Sequence, residues 1–211
     1  MELQKQEPRW ERRKNARPQE LIDAALDVFV AKGYSAARLD EVAKQAGVSK
    51  GTVYLYFTNK EELFKAVVRD SIVASIANVE ELENNHRGDT PTLLRGLMRE
   101  WWENICATRS SAIPKIIVSE AGNFPEILSF YHEEVIRRAE RVTIKILQRG
   151  IDAGEFRPVD LKLATQLIFA PFIFICIWKY SFAQCASGAP EGEKVIDAHI
   201  DMTLRGLANG A

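Results

Sequence analysis

The sequence of 211 residues lacks the patterns that mark disulfide-rich, exported or membrane-spanning chains. It has only three cysteines, Cys106, Cys176 and Cys185, and because the number is odd and no C-x-x-C pair occurs, we expect buried thiols in a reducing cytoplasm. The N-terminus has no apolar run typical of a signal peptide. The longest uncharged stretch, 163–178, is shorter than the roughly 20 residues of a membrane span, which favours a buried helix.

Signatures of enzymes and metal sites are also missing. The segment HEEVI (132–136) begins like the zinc motif H-E-x-x-H, but Ile136 stands where the second histidine ligand is needed. No nucleophile elbow, Walker loop or G-x-G-x-x-G occurs. We therefore predict no catalytic residues, no bound metal and no cofactor.

Charge is unevenly distributed along a chain whose net charge is only −1. Residues 1–60 carry eleven Lys and Arg against eight Asp and Glu, and the segment RWERRKNAR (9–17) alone has a net charge of +4. A basic N-terminal region suits a polyanionic partner, although a solvated basic tail would have the same composition.

Hydrophobic spacing is helical throughout and predicts an all-α fold of about nine helices. Proline and glycine punctuate it, since Pro18 suits the start of a first helix, Gly33 its end, and NNHRGDTP (84–91) the end of the fourth helix. The expected organisation is a basic arm (1–17), an N-terminal three-helix domain (18–64) and a helical C-terminal domain (65–211).

The stretch KQAGVSKGTVYLYFTNKEEL (44–63) predicts a helix-turn-helix over about residues 38–57. Gly47 ends a short helix, and Ser49 can cap the next helix, whose Val53 and Phe57 face inward. In a helix-turn-helix this second helix enters the DNA major groove.

The remaining side chains of that helix carry groups suited to a groove: an ammonium, hydroxyls, phenols and apolar surface. Tyrosines and lysines can also donate to phosphates. The predicted DNA-binding residues are Arg38, Ser49, Lys50, Gly51, Thr52, Tyr54, Leu55, Tyr56 and Lys60. A glycine turn between amphipathic helices also occurs in α-proteins without DNA function, so spacing alone leaves that alternative open.

Two segments, LIDAALDVFVAKGY and LDEVAKQAGVSKGTVYLYFTNKEELFKAV, closely resemble the TetR/AcrR family of bacterial transcriptional regulators over about residues 18–68. The resemblance implies a homodimeric repressor whose N-terminal domain binds operator DNA and whose C-terminal domain dimerises and holds an inducer. By position it places Lys50, Gly51, Thr52, Tyr54 and Leu55 near bases and Tyr54, Tyr56 and Lys60 at phosphates.

The chain departs from the family pattern at a few positions. Tyr56 stands where histidine is frequent and Leu55 where an aromatic residue is frequent, so the half-site cannot be transferred. Ala37 and Arg38 stand where the family usually has hydroxyl residues before the second helix, so a capping hydroxyl is lost. Arg38 can serve as a phosphate contact there.

The C-terminal half shows a looser likeness to one branch of the family, through NFPEILSFYHEEVI, GEFRPVD and LIFAPFIFICIW. Its aromatic residues can line an inducer cavity or simply pack a core. The predicted ligand-binding residues are Trp101, Trp102, Phe130, Tyr131, Phe169, Phe172 and Trp178. Pro171, within the apolar helix, is expected to kink that helix.

Helix 160–186 is apolar nearly all round, which predicts burial on several sides. With helix 192–208 and their symmetry copies it can form the four-helix bundle of a two-fold dimer. The predicted interface residues are Val195, Ile196, His199, Met202, Thr203 and Leu207.

The sequence therefore predicts a cytoplasmic, homodimeric repressor that binds double-stranded operator DNA, is released by a small apolar or aromatic inducer and has no membrane partner. One alternative is a constitutive or activating DNA-binding regulator of the same fold without an inducer. A different class, a helical ligand-binding protein or enzyme without DNA function, is disfavoured by the basic arm and the outward-facing tyrosines.

Overall fold

A computed structural model describes residues 9–120, 122–183 and 191–210, with side chains from residue 18 onward, so the predicted arm (1–17) and Cys185 lie largely outside it. Within these ranges the chain forms helices and no β-strand, only an isolated bridge between Phe156 and Ala208, which confirms the all-α prediction. The α-helices are α1 Arg9–Ala36, α2 Leu39–Gln45, α3 Lys50–Tyr56, α4 Lys60–Val68, α5 Ala74–Asn85, α6 Thr90–Trp101, α7 Ala112–Glu120, α8 Pro125–Tyr131, α9 Arg137–Asp152, α10 Leu161–Ser181 and α11 Gly192–Leu207.

Three π-helical turns follow α4, α6 and α8: Arg69–Val73, Trp102–Cys106 and His132–Ile136. Because the first and third join helices that continue on either side, the described residues form nine helical rods, as predicted. A π turn contains more residues than an α turn, so it rotates the side chains that follow it around the helix axis.

Side-chain caps explain several helix starts. Ser49 Oγ accepts from the Thr52 backbone N–H at 3.2 Å, and Asn59 Oδ1 accepts from that of Glu62 at 2.8 Å. Asp160 caps α10 in the same way. Each cap supplies an acceptor to an amide that has no partner in the first helical turn.

The predicted start of the first helix is wrong. Helix α1 begins at Arg9, and Pro18, expected at its first turn, lies inside it. The long helix begins at Pro125 after Phe124, which provides no side-chain cap. The predicted break at Gly33 is confirmed, because this residue has φ 78° and ψ 174° and the last turn of α1 lies beyond it.

The chain divides into two compact units, 1–67 and 68–211. In the first unit three aromatic rings form the centre of the core. The Phe64 ring lies edge-on to those of Phe29 and Tyr34, with both centroid distances 5.1 Å. These large buried rings fix α1 against α4 within the unit.

The second unit is a helical bundle in which α6 packs against α5 and α9, and α10 packs against α7 and α9. Helix α6 contributes a fully buried apolar face that includes Leu93, Leu94 and Met98. A bidentate ion pair from Arg138 to Glu80, at 2.8 and 2.6 Å, joins α9 to α5. The hydrogen bonds and charge of Arg138 lower the pKa of Glu80, so this pair remains ionised at neutral pH.

Candidate nucleic-acid interface and ligand cavity

The turn between α2 and α3 is set by one glycine. Gly47 has φ 67°, in the left-handed region that only glycine adopts without strain. The next residue folds back, and its backbone amide donates to the carbonyl of Ala43 at 2.9 Å. Leu39 and Val42 of α2 are buried, so this helix is fixed to the core and α3 starts in a defined direction.

Helix α3 buries a single residue, Val53, and exposes most of its remaining surface. Leu55 is 81% exposed, Tyr54 49% and Tyr56 38%, which is unusual for large apolar and aromatic side chains. The ammonium of Lys50 lies 5.9 Å from the centre of the Tyr54 ring. The helix therefore presents a cation, two phenols and an isobutyl group outward, as a groove-binding helix requires.

The two hydroxyls at the start of α3 are engaged with each other. Ser49 Oγ lies 2.9 Å from Thr52 Oγ1 and also caps the helix through the Thr52 amide. The Thr52 methyl group takes no part in this bond and can make an apolar contact. Gly51 lies between them, and a Cβ there would come no closer than 3.7 Å to another atom, so the protein itself does not require glycine.

Two predicted phosphate contacts have intramolecular partners. The Lys60 ammonium donates to the carbonyls of Tyr34 at 2.8 Å and Ser35 at 2.9 Å and lies 4.5 Å from the Tyr34 ring centre. It therefore satisfies the carbonyl end of α1, a structural role that sequence reasoning missed. Arg38 is exposed and donates to Asp40 at 3.3 Å, a weak surface contact that leaves most of the guanidinium accessible.

A cavity of about 460 Å³ lies in the second unit, with mainly apolar walls from α6, α7, the end of α8, α9, α10 and the turn 132–136. Three predicted aromatic residues, Trp101, Tyr131 and Phe169, line it, and the Trp101 and Phe169 rings meet edge-on at 4.9 Å. The other lining residues are Pro114, His132, Val135, Ile136, Ala139, Glu140, Thr165, Gln166 and Ile173.

Sequence reasoning missed these aliphatic and polar lining residues because it counted aromatics only. The available signal was the spacing of 132, 135, 136, 139 and 140, which is that of one helix face. Burial raises the pKa of Tyr131, so its hydroxyl stays protonated at any physiological pH and can donate a hydrogen bond.

The other predicted aromatics lie outside this cavity. Phe172 is fully buried behind Phe169, and Phe130 faces the Arg69 guanidinium at 4.9 Å, which corrects both predictions. Trp102 and Trp178 line a separate cavity of about 370 Å³, together with Cys106, Lys179 and Gly192. Successive residues of a helix lie about 100° apart around its axis, so the adjacent Trp101 and Trp102 face different cavities.

Helices α10 and α11 leave a broad apolar surface exposed. Leu163, Leu167 and Phe174 are more than half exposed and Met202 is 72% exposed, and only 28% of the most apolar part of α10 is buried in the chain. The uncharged stretch of 16 residues is too short to span a membrane, but the whole helix α10 has 21 residues. By length and composition alone α10 is therefore long and apolar enough to span a membrane. Its packing against α7 and α9 instead makes it a helix of the bundle.

A groove of about 660 Å³ runs along this surface, bordered by predicted interface residues His199, Met202, Thr203 and Leu207. His199 Nε2 donates to the Ile168 carbonyl at 2.8 Å. The neighbouring carbonyl of residue 167 receives no helical hydrogen bond, because Pro171 has no N–H to donate. Val195 is half-buried, and Ile196 is fully buried within the chain. This corrects the prediction for Ile196, because a side chain without exposed surface cannot contact a second chain.

Among the residues from 18 onward that the structure describes, no three metal-binding side chains cluster. His132, the histidine of the HEEVI segment, is exposed and contacts only the neighbouring Glu133 at 3.3 Å among its resolved polar partners. Nothing in this arrangement provides the paired ligands of a zinc protease.

The fold and these surfaces define a helix-turn-helix regulator. Residues 21–67 match the family described as bacterial regulatory proteins, tetR family, and residues 85–180 match the tetracyclin repressor-like C-terminal domain. The chain is 32% identical over 160 residues to the transcriptional regulator SrpR of Pseudomonas putida, covering 71% of this chain and 67% of SrpR. It therefore belongs to the TetR family and is a DNA-binding transcriptional regulator.

Two further similarities come from Bacillus subtilis. The fatty acid metabolism regulator protein of strain 168 is 29% identical over 159 residues, covering 74% of this chain and 80% of that protein. The structure of the transcriptional regulator FadR in complex with stearoyl-CoA has a TM-score of 0.74 at 24% identity and covers 90% of this chain and 98% of FadR.

Proposed function

We propose that this regulator is a homodimeric repressor that binds operator DNA through α3 and is released by a small apolar molecule bound in the 460 Å³ cavity. It binds DNA and ligand without catalysing a reaction, and it does so in the cytoplasm, where its operator DNA lies. The observation that carries the proposal is the cavity, because it gives the second unit a volume within the roughly 300–1,000 Å³ of ligand pockets.

The exposed face of α3 supports major-groove reading. Lys50 donates to guanine acceptors, while Leu55 and the methyl group of Thr52 make apolar contacts, which thymine methyl groups accept. Tyr54 and Tyr56 donate to phosphates on either side. The Thr52 hydroxyl already bonds Ser49 Oγ, so a hydrogen bond to a base shares or replaces this contact.

Phosphate contacts come from Arg38 and Lys60. Arg38 exchanges its weak contact with Asp40 for a phosphate oxygen. Lys60 keeps its two carbonyl partners and lies in the first turn of α4, whose amide-rich end itself attracts phosphate. Its contribution to affinity is therefore combined with a contribution to the stability of the DNA-binding unit.

The exposed apolar surface of α10 and α11 supports dimerisation. A monomer in water would leave Leu163, Leu167, Phe174 and Met202 hydrated, and pairing with a second copy removes this surface from water. The contact includes the groove beside His199 and Thr203. Two copies then present two recognition helices to half-sites about 34–36 Å apart.

The walls of the cavity favour an inducer with an apolar body and one polar end. The aromatic and aliphatic walls suit an alkyl chain or ring, and the more exposed His132 and Gln166 can bind a polar group at the opening. A long-chain acyl thioester fits this description, and the stearoyl-CoA complex of FadR supports that class.

The test begins with selection of fragments bound by the purified full-length protein from random DNA. Operator affinity is then measured by fluorescence anisotropy with stearoyl-CoA, stearate or coenzyme A alone. We expect stearoyl-CoA to raise the melting temperature of the free protein and to weaken operator binding by about 5–150-fold, the usual range of allosteric coupling. Coenzyme A alone should do neither.

A ligand that stabilises the free protein but leaves operator affinity unchanged would contradict an inducer role. In that case the constitutive alternative, a regulator without small-molecule release, takes its place. Failure to select any DNA sequence above a random background would contradict the DNA-binding assignment of α3 itself.

A further inference from the structure

Two cysteines that no DNA or ligand contact uses lie against each other inside the second unit. Cys106 ends the π turn after α6, and Cys176 lies on α10, seventy residues later. Their sulfur atoms are 3.6 Å apart, and the side chains are 2% and 1% exposed. Thiols at this distance are in direct contact without being bonded, since a disulfide has a bond length of about 2.05 Å.

We propose that Cys106 and Cys176 form a reversible dithiol–disulfide pair that is oxidised by peroxides. The step joins the turn after α6 covalently to α10 at a level just behind the wall of the ligand cavity. The geometry requires the sulfurs to approach by about 1.5 Å to reach bonding distance. A π turn at the end of a helix can accommodate such a shift, because its hydrogen-bond register is readily exchanged for an α turn.

The surroundings make the pair chemically competent. Lys179 lies one turn along α10 from Cys176, and its ammonium is held by the Thr108 carbonyl at 3.1 Å and Ser111 Oγ at 3.0 Å. The hydrogen bond between Cys176 and Cys106, and then the positive charge of Lys179, lower the pKa of Cys176, against the effect of burial. Cys106 correspondingly retains its proton, because its pKa is raised. Of the two sulfurs, Cys176 is therefore the one that loses its proton more readily.

A small oxidant can approach the pair from one side. Cys106 lines the 370 Å³ cavity between Trp102, Trp178 and Lys179, whereas Cys176 lies 3.6 Å behind it and outside the lining, so a peroxide must pass the Cys106 side chain to reach Cys176. The Cys176 thiolate attacks one peroxide oxygen and breaks the O–O bond; with hydrogen peroxide this gives a sulfenic acid and, after protonation, water. The Cys106 sulfur then attacks the Cys176 sulfur, the S–S bond forms, and a second water leaves. Two thiols are oxidised and one peroxide is reduced to two waters.

The pair lies close to the groups that bind ligand. Cys106 Sγ is 4.0 Å from the Phe172 carbonyl, and the Phe172 ring supports Phe169 in the cavity wall. Burial, and after it the nearby sulfurs of Cys176 and Cys106, raise the pKa of Tyr131, so the pair lies near a residue that lines the cavity. The inference does not depend on the proposed inducer, because the disulfide is measured directly.

The experiment treats the native full-length protein with hydrogen peroxide, removes the excess with catalase, and alkylates the denatured chain with N-ethylmaleimide. We expect one adduct instead of three, a mass lower by two hydrogens before alkylation, and a linked peptide containing Cys106 and Cys176. Dithiothreitol should restore three adducts. Cys185→Ser should behave like the natural chain but lose its single remaining adduct.

Single substitutions test the order of events. In Cys106→Ala, dimedone should trap a sulfenic acid at Cys176, whereas in Cys176→Ala peroxide should leave Cys106 as a free thiol. Three adducts after oxidation, a bond that involves Cys185, or sulfinic acids in place of the linked peptide would overturn the proposal. The linked peptide is sought in the natural chain, so the test remains decisive if a variant folds poorly.

Discussion

The two units of the chain use aromatic and small residues in opposite ways. In the first unit Tyr54 and Tyr56 extend from a helix that buries only Val53, so the chemistry of α3 is available to an external partner. In the second unit Tyr131 and Trp101 are about 5% exposed and line a cavity within the bundle. The first unit therefore has a surface ready for a polymer, and the second has an interior ready for a small molecule.

The difference shows that burial, rather than residue type, separates the two kinds of site in an all-α chain. Removing an aromatic ring from water is favourable, and an exposed ring gains this free energy only when a partner covers it. An outward tyrosine pair therefore indicates a binding surface. Aromatic rings around unfilled volume indicate a ligand site, because tight packing is the ordinary state of a core.

The largest effect is expected at the exposed surface of α10 and α11. This apolar surface lies outside both the DNA-binding helix and the cavity, and in the proposed function a second copy of the chain covers it. Met202→Glu places a charge on a side chain that is 72% exposed and should prevent dimerisation without unfolding the chain. Operator affinity should fall by a factor of about 100 or more, because linked binding to two half-sites is lost. Sedimentation velocity gives the assembly state and anisotropy the affinity.

The matched control is Arg95→Glu, a charge change at an exposed position of α6. It should leave both the dimer and operator affinity unchanged. Ile196, fully buried in the chain, is unsuitable for this test, since a charge there would destabilise the fold itself. A dimer that persists in Met202→Glu would move the interface away from the groove.

A second prediction separates cavity aromatics from packed ones. Phe169→Ala removes a ring from the cavity wall, and since burial of such a side chain contributes about 1.5–3 kcal/mol, affinity for an apolar ligand should fall about 10- to 100-fold. Phe130→Ala removes a ring that faces Arg69 outside the cavity and should leave ligand affinity within about twofold. Calorimetry with stearoyl-CoA measures both, and equal losses would place the site elsewhere.

The sequence predicted local features well and the partition of side chains between cavities poorly. The cap at Ser49 and the turn at Gly47 depend on residues within a few positions of one another. The adjacent Trp101 and Trp102 line different cavities, and the helices that face each of them are set by tertiary packing, which no local hydrophobic pattern signals. The partners of Lys60 lie 26 and 25 residues away, beyond the reach of local spacing.

A third prediction compares two lysines of the first unit. Lys50 is exposed beside Tyr54, so Lys50→Ala should change sequence preference by about 1–3 kcal/mol at one base and leave the melting temperature unaltered. Lys60→Ala removes the ammonium that donates to two carbonyls at the end of α1. The free energy of unfolding should fall by about 1.5–3 kcal/mol, the usual contribution of a hydrogen bond to a charged group.

The same two variants separate base reading from phosphate binding. Lys60→Ala should also weaken all duplexes alike and reduce the salt dependence of binding, because a phosphate contact releases counterions. Binding to selected and random duplexes across a salt series measures this, together with thermal denaturation. Unchanged stability in Lys60→Ala would argue against its contacts with Tyr34 and Ser35.

The smallest effects are expected at two glycines, each within the first two residues of a helix, and they should have opposite signs. In Gly51→Ala the new methyl group has no atom closer than 3.7 Å, so helix propensity should stabilise the free protein by up to about 1 kcal/mol. The methyl group lies at the start of α3, where it would separate the helix from DNA, so operator affinity should fall several-fold. In Gly192→Ala the methyl group would clash with the Trp102 ring, so this variant should lose stability. Thermal denaturation and anisotropy measure both variants. If Gly51→Ala binds its operator as well as the natural chain does, then Gly51 does not approach DNA. The contrast between a glycine that makes room for DNA and one that makes room for the Trp102 ring would then fail.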